Sequence, residues 1–496
     1  VSDLTTRSAS DLARAIRGRA ISSRELLDAF AARIDEYNPS LNAVVTLDLE
    51  RAGRRALEAD EATAHGKSWG PLHGLPVTIK DSLETEGMKT TAGFPPLADH
   101  VPARNAVAVQ RAVDAGAIVF GKTNLPVLAG DWQSYNPLFG VTCNPWDRER
   151  TPGGSSGGSA TSVAAGFTAF EIGSDIGGSI RVPAHWCGVY GHKPTHGIIP
   201  ARGHIPGPPG MLSEPDLSVI GPLARSAEDL DLLLGVMAGP LADRARAWTL
   251  SLPPPRRTNL ADYRVAAWLD DASFSIDDSV RAVLGQTVAA LRAAGATVDE
   301  NARPGFSLAE IVDVYLQLLY PVFLAGFPAQ TFAELSELAR TFPADAADPV
   351  ALMARYGTAT HRDWLGANEV RQHARAAFAD FFTRYDVLLL PVNQLPAIAH
   401  DHSEPFVGRT LSINGVTQPY TDLFAWIAPA TAALLPATSA PVGLTAAGLP
   451  VGIQIVAPYL EDRTAIDFAQ RLGKVIGGFT APPQLREPTP TIHERR

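Results

Sequence analysis

Thr151-Pro-Gly-Gly-Ser-Ser-Gly-Gly-Ser159 and Gly173-Ser-Asp-Ile-Gly-Gly-Ser-Ile-Arg181 place two serine-bearing glycine clusters close together in one chain. Glycine lets the backbone come near a reacting atom and take positive φ, so successive N–H groups can converge on developing negative charge. An oxyanion hole needs that arrangement. Upstream, Gly74-Leu-Pro-Val-Thr-Ile-Lys80-Asp81 is a short apolar run closed by an isolated lysine, which predicts a strand delivering Lys80 into a buried site. Together the three segments suggest a serine hydrolase that works without a catalytic histidine.

The constellation resembles the amidase signature family, whose triad is a lysine, a bridging serine held by a cis peptide, and a nucleophilic serine. Carried over motif by motif these are Lys80, Ser155 and Ser179, and their offsets of 75 and 24 residues fit the family pattern. The likeness continues through Gly121-Lys-Thr-Asn124, Asn144-Pro-Trp146, Pro183-Ala184, Gly191-His-Lys-Pro194 and Gly448-Leu-Pro-Val-Gly-Ile-Gln454, and thins between about 240 and 385. It implies an α/β fold, an α/β/α sandwich with a large mixed β-sheet covered by helices, as a single domain over residues 1–496. It also implies an oxyanion hole built from the backbone N–H groups of Ile176, Gly177, Gly178 and Ser179, supported by Ser156, Asp175 and Arg181. Within the family the chain is similar to bacterial-type amidases such as aryl acylamidases and urethane-hydrolysing members.

The chemistry these residues would perform follows from their types. A serine hydroxyl is a weak nucleophile and needs a base. Lysine serves only when neutral, and burial or neighbouring cations remove its charge. Ser155, whose hydroxyl both donates and accepts, would relay the proton from Ser179 to Lys80 and return it to the leaving amine. An acyl-enzyme would form, and water would hydrolyse it.

Taken singly, each element has an ordinary explanation: a flexible loop or helix entry for the glycine clusters, a solvated Lys80, a plain ion pair for Arg181. Their joint occurrence is what argues for a site. Two other motifs compete. Gly116-Ala-Ile-Val-Phe-Gly-Lys-Thr123 satisfies the phosphate-loop pattern, but its interior is itself an apolar strand and Pro126 interrupts the helix that should follow. Gly154-Ser-Ser156-Gly-Gly158 satisfies the nucleophile elbow of α/β-hydrolases with Ser156 as nucleophile, yet its acid and histidine candidates, Asp386 with His400 or His402, sit in no recognisable setting. No H-E-x-x-H or paired-cysteine spacing points to a metal, and no cofactor is implied.

A formal net charge of −10 argues against a nucleic-acid surface. The two cysteines, Cys143 and Cys187, cannot make a disulfide framework and favour a reducing compartment, hence a cytoplasmic enzyme. Residues 1–38 predict two charged amphipathic helices rather than a secretion signal, with starts marked by Ser8-x-x-Asp11 and Ser22-x-x-Glu25. The uncharged run from Leu423 to Leu460 is broken by five prolines, which excludes a membrane helix and predicts buried loops and strands such as Val451–Val456 beneath the cleft. Helical periods alternate with short apolar strands, Leu252-Pro-Pro-Pro-Arg-Arg257 predicts a surface linker, and residues 306–362 predict a helical lid or insertion.

For the substrate, Trp132, Tyr135, Phe139, Ile205, Phe424 and Trp426 are the apolar candidates for a cleft, with core packing the default for each aromatic alone. They favour an uncharged aryl or apolar amide, with esters and carbamates, urethanes among them, as side substrates. Such a protein is expected as a monomer or homodimer without nucleic-acid or membrane partners. A glutaminyl- or asparaginyl-tRNA amidotransferase A-type subunit is the alternative, although Asp175-Ile176 stands where that subgroup usually carries aspartate-threonine and Pro206-Gly-Pro-Pro209 departs from it. A non-catalytic binding protein on the same fold is the reading from another class, and the intact triad argues against it.

Overall fold

The structure is a computed structural model that describes residues 2–485. Its frame is an eight-stranded sheet in the order Thr297–Asp299, Arg264–Ala267, Val387–Pro391, Pro450–Val456, Ala437–Leu444, Tyr190–Lys193, Val219–Ala224 and Glu171–Asp175. The first three strands run parallel and the remaining neighbours antiparallel, so the sheet is mixed. The central Val387–Pro391 and Pro450–Val456 strands are buried along their whole length, as expected where helices cover both faces in an α/β/α sandwich. Residues 252–257 run as irregular chain, and the sheet takes strands from both sides of them.

A second sheet of three strands carries the lysine. Pro76–Lys80 pairs in parallel with Ile118–Thr123, which pairs antiparallel with Val44–Leu47. It packs against the edge strand Glu171–Asp175 through Thr78, whose N–H donates to Thr168 Oγ1 at 2.9 Å and whose hydroxyl donates to Glu171. The end of Pro76–Lys80 is thereby brought to the end of Glu171–Asp175, with both glycine clusters beyond it.

The amino-terminal helices form as the caps predict. Ser8 accepts from Asp11 N–H at the start of Ala9–Arg17, and Ser22 with Glu25 closes a full capping box on Ser23–Leu41. The Asp11 carboxylate pairs with Arg14 instead of closing a second box. Residues 423–460 fold into a short helix, Ala428–Ala432, and the strands Ala437–Leu444 and Pro450–Val456. Among the described residues no helix is long and apolar enough to cross a membrane.

Segment 306–362 divides by burial. Leu308–Leu324 inserts Ile311, Tyr315, Leu318 and Leu319 into the core, whereas Ala329–Thr341 has no buried residue. The first helix is therefore part of the body of the protein, Pro349–Gly357 packs in through Ala351, Ala354 and Gly357, and Ala329–Thr341 alone of the three lies wholly on the outside.

Candidate active site

Lys80 is completely buried, and its Nζ donates to Ser155 Oγ at 2.7 Å, Ser156 Oγ at 2.9 Å and Ser174 Oγ at 2.9 Å. Three donors meet three hydroxyls, which suits an ammonium; on losing a proton the amine gains a lone pair that can accept from one of them. Burial lowers the amine from 10.5 to about 7, against the opposing pull of Asp175 and Glu171. Ser174 has no counterpart among the sequence candidates. Its only signal is its place beside Asp175 at the strand end.

The loop holding Ser155 has a cis peptide between Gly154 and Ser155. Gly154 is required by close approach, since a Cβ there would lie 2.7 Å from the Trp132 carbonyl carbon and 2.8 Å from Gln133 N. Ser156 heads the helix Gly157–Ala165, but its hydroxyl turns toward Lys80 and donates to the Ser174 carbonyl at 3.3 Å. Its N–H donates to the Ser179 carbonyl at 3.1 Å, which draws the two clusters together. Ser179 keeps 6% exposure and its hydroxyl forms no hydrogen bond among the described residues, while Ser156 is 0% exposed. That contrast disfavours Ser156 as an attacking group, and Asp386, its candidate acid, is engaged by Arg257 and Arg264.

Asp175 and Arg181 bracket Ser179. The fully buried guanidinium donates to both Asp175 oxygens, at 2.8 and 3.0 Å, and also to Gln454 Oε1 at 2.6 Å, Thr431 Oγ1 at 2.7 Å and the Ile427 carbonyl at 3.0 Å. Burial works to raise the Asp175 carboxyl, but Arg181 and the loop N–H groups outweigh it and hold it below its ordinary value. The late segment ending in Gln454 thus supplies a partner for this arginine.

The four N–H groups expected to face an oxyanion are not equivalent. Gly178 N–H donates to Asp175 Oδ1 at 3.0 Å and is already spent, which corrects the expected set. The N–H groups of Ile176, Gly177 and Ser179 carry no hydrogen bond among the described residues. A carboxylate that braces the loop must take one of its donors, and composition does not say which.

Of the apolar candidates, Trp132 and Phe424 meet at the loop of Gly177. Trp132 Nε1 donates to the Gly177 carbonyl at 2.7 Å, and its ring lies edge-on to Phe424 at 4.3 Å. A Cβ on Gly177 would stand 3.0 Å from Phe424. Ile205 is anchored beside the end of the lysine strand, its N–H donating to the Ser82 carbonyl at 2.8 Å. The other three are engaged elsewhere. Tyr135 stacks on His402 and bonds Glu404 and Arg409; Phe139 sits at the turn of a short hairpin where Asn42 binds its carbonyl; Trp426 is 0% exposed, packed on Trp268 with its N–H on the Phe274 carbonyl. Aromatic character alone does not distinguish a wall from core. Tyr315, which donates to the Ile176 carbonyl at 2.9 Å, and Tyr420, whose hydroxyl donates to Asp131 and whose ring meets Trp132, complete the aromatic cluster and were not among the candidates.

The phosphate-loop match is resolved by Lys122, which lies buried with Nζ donating to the Leu83 carbonyl, Thr85 and Thr90. Its segment is the strand Ile118–Thr123, not a loop entering a helix.

A family model described as Amidase matches residues 25–466. A protein of Synechococcus sp. (strain CC9605), named as the A-type subunit of glutamyl-tRNA(Gln) amidotransferase, is 33% identical over 94% of this chain and 95% of its own length. Among solved structures, a 6-aminohexanoate cyclic dimer hydrolase superposes with a TM-score of 0.77 at 27% identity, covering 97% of this chain and 99% of that one. A bacterial aryl acylamidase superposes at 0.78 with 23% identity, over 95% and 96% of the two chains, a likeness of fold.

Proposed function

Because the chain belongs to the amidase signature family, we propose that it cleaves an amide C–N bond through an acyl-enzyme on Ser179, with Lys80 as base and Ser155 as proton relay. The observation that carries this reading is the wholly buried Lys80 amine, 2.7 Å from Ser155 Oγ and titrating at about 7. Ser179 Oγ attacks the carbonyl carbon as its proton passes to Ser155 and from Ser155 to Lys80. The tetrahedral oxyanion is received by the free N–H groups of Ile176, Gly177 and Ser179. Collapse breaks the C–N bond, and Lys80 returns its proton through Ser155 to the departing nitrogen. Water then repeats attack and proton transfer on the acyl-enzyme and releases a carboxylic acid.

For the substrate, the aromatic cluster at Gly177 supports an uncharged aryl or apolar amide, with esters and carbamates, urethanes included, sharing the reactive carbonyl. Beside the cluster, Asp175 pairs with Arg181 and Asp131 with Arg409, so neither carboxylate is left free to bind a charged substrate group. Replacing Phe424 by alanine is expected to lower kcat/KM for an anilide about tenfold more than for a short aliphatic amide. Equal losses on both would remove Phe424 from the substrate wall.

The relatives named as amidotransferase components favour a second reading, in which the same acyl-enzyme releases ammonia from glutamine for a partner protein. Incubating the isolated chain with glutamine and with 4-nitroacetanilide separates the two. Release of 4-nitroaniline supports the first. Glutamate formation, or inactivity until partner proteins are added, supports the second.

In either case the base acts only when neutral, so kcat/KM rises with pH up to about 7 and then levels, falling about tenfold per pH unit below that point. A profile flat from pH 5 to 8 would remove Lys80 from the role.

A further inference from the structure

The nucleophile loop holds two adjacent glycines between the end of the strand Glu171–Asp175 and the helix Arg181–Cys187. A Gly-Gly pair has no Cβ to limit its peptide orientations, so its N–H groups do not aim themselves. In a trans peptide the C=O and the following N–H point in opposite directions, and whatever holds the carbonyl also aims the N–H.

Two aromatic side chains hold the carbonyls here. Tyr315, from the buried helix Leu308–Leu324, donates to the Ile176 carbonyl at 2.9 Å, and Trp132 donates to the Gly177 carbonyl at 2.7 Å. The first bond fixes the peptide that carries Gly177 N–H. The second fixes the peptide that carries Gly178 N–H and sends it to Asp175 Oδ1 at 3.0 Å. Phe424 braces both donors, with ring centroids 4.3 Å from Trp132 and 5.6 Å from Tyr315. Burial drives the Tyr315 phenol well above its ordinary value, which keeps it a hydrogen-bond donor.

We infer that Trp132 and Tyr315 are positioning residues that lock the two peptides flanking Gly177, so that Gly177 N–H is presented to the oxyanion while Gly178 N–H is committed to Asp175. This rests on the reading of Ser179 as nucleophile. The helix Leu308–Leu324 thereby acts on the chemistry through one phenol, by holding a peptide of the loop. A purely structural explanation is that both donors satisfy buried carbonyls and nothing more. The two differ in what they predict for reaction rate at constant fold.

The test is the rate at which a fluorophosphonate modifies Ser179, followed by peptide mass spectrometry across the rise and plateau of its pH profile. The readout requires no knowledge of the natural substrate, because the phosphonyl oxygen occupies the same hole. Tyr315→Phe keeps the ring and removes the hydroxyl. It is expected to lower the plateau about tenfold, a fraction of what loss of a whole donor costs, with the inflection and the thermal midpoint unchanged. Trp132→Phe should act in the same direction and the double variant more strongly than either. Wild-type labelling rates in Tyr315→Phe would overturn the inference, and so would a shifted inflection with an unchanged plateau, which would mean that the phenol acts through Lys80. Failure of the wild-type protein to label at Ser179 would overturn the nucleophile assignment and this inference with it.

Discussion

Replacing Lys80 with methionine is expected to reduce amide cleavage on the order of 10⁴-fold or more while making the folded protein more resistant to unfolding at about pH 6 and less resistant at about pH 10. The activity loss follows from removing the buried amine in contact with Ser155 and Ser156. The stability effect has two parts of opposite sign. An amine moved by burial from 10.5 to about 7 costs the folded state about 5 kcal/mol whenever it must be charged. That cost is complete below about pH 7, shrinks as pH rises and vanishes near the unfolded value of 10.5. Methionine removes it. Against this, Ser155, Ser156 and Ser174 each lose a partner, at about 1 kcal/mol per hydrogen bond and independent of pH. The first effect dominates in mild acid and the second in base, so the difference between variant and wild type should change sign. Urea unfolding of both proteins at the two pH values measures it. A constant difference would mean that Lys80 is not the strained amine its burial implies.

This trade shows why the centre of the site was legible in the sequence and its surroundings were not. Lys80, Ser155 and Ser179 each have an ordinary explanation alone and stand out through the joint spacing of three motifs that resembles a known family, and the structure brings Lys80 and Ser155 to 2.7 Å. The cap residues Ser8 and Ser22 were legible for a similar reason: a local hydrogen bond decides where a helix starts. The mixed sheet was legible in class, through alternating helical and strand periods, but not in strand order, which depends on pairings far apart in the chain. What escaped were residues whose role lies in a single long-range contact. Tyr315 reaches Ile176 across 139 positions and Gln454 reaches Arg181 across 273, and in sequence each is one more residue in a helix or a strand. Trp426 failed in the opposite sense. It neighbours Phe424 and shares its chemistry, yet at two positions' distance along an irregular segment its ring turns into the core against Trp268. The commitment of Gly178 N–H to Asp175 was likewise invisible, because it is set by backbone direction.

Removing Arg181 while leaving Asp175 in place is expected to be among the most damaging single changes in the chain, for a reason separate from the triad. The guanidinium is fully buried and spends its donors on Asp175, Gln454, Thr431 and the Ile427 carbonyl. Arg181→Met strands a carboxylate in the core, and breaking a buried pair from one side costs about 3–5 kcal/mol. Lys193 offsets only part of the lost charge: burial and the Arg181 charge together lower its amine to about 7, and removing Arg181 relieves the second of these. The sign of the pH dependence distinguishes this from ordinary loss of packing. In the wild type Asp175 titrates below its ordinary 3.8, so the pair's contribution is present at neutral pH and is lost only as pH falls through that depressed value. In Arg181→Met the largest opposition to burial is gone and only Lys193 and the backbone N–H groups of Gly178, Ile180 and position 181 remain, so the carboxyl moves upward and the variant's deficit should shrink as pH is lowered from 7. Arg181→Met combined with Asp175→Leu should be less destabilised than Arg181→Met alone, although equally inactive, because the stranded charge is gone while the brace on the Ser179 loop is still missing. Equal destabilisation of the single and double variants would show that Arg181 acts through its contacts to Gln454, Thr431 and Ile427, and that Asp175 orders the loop without it.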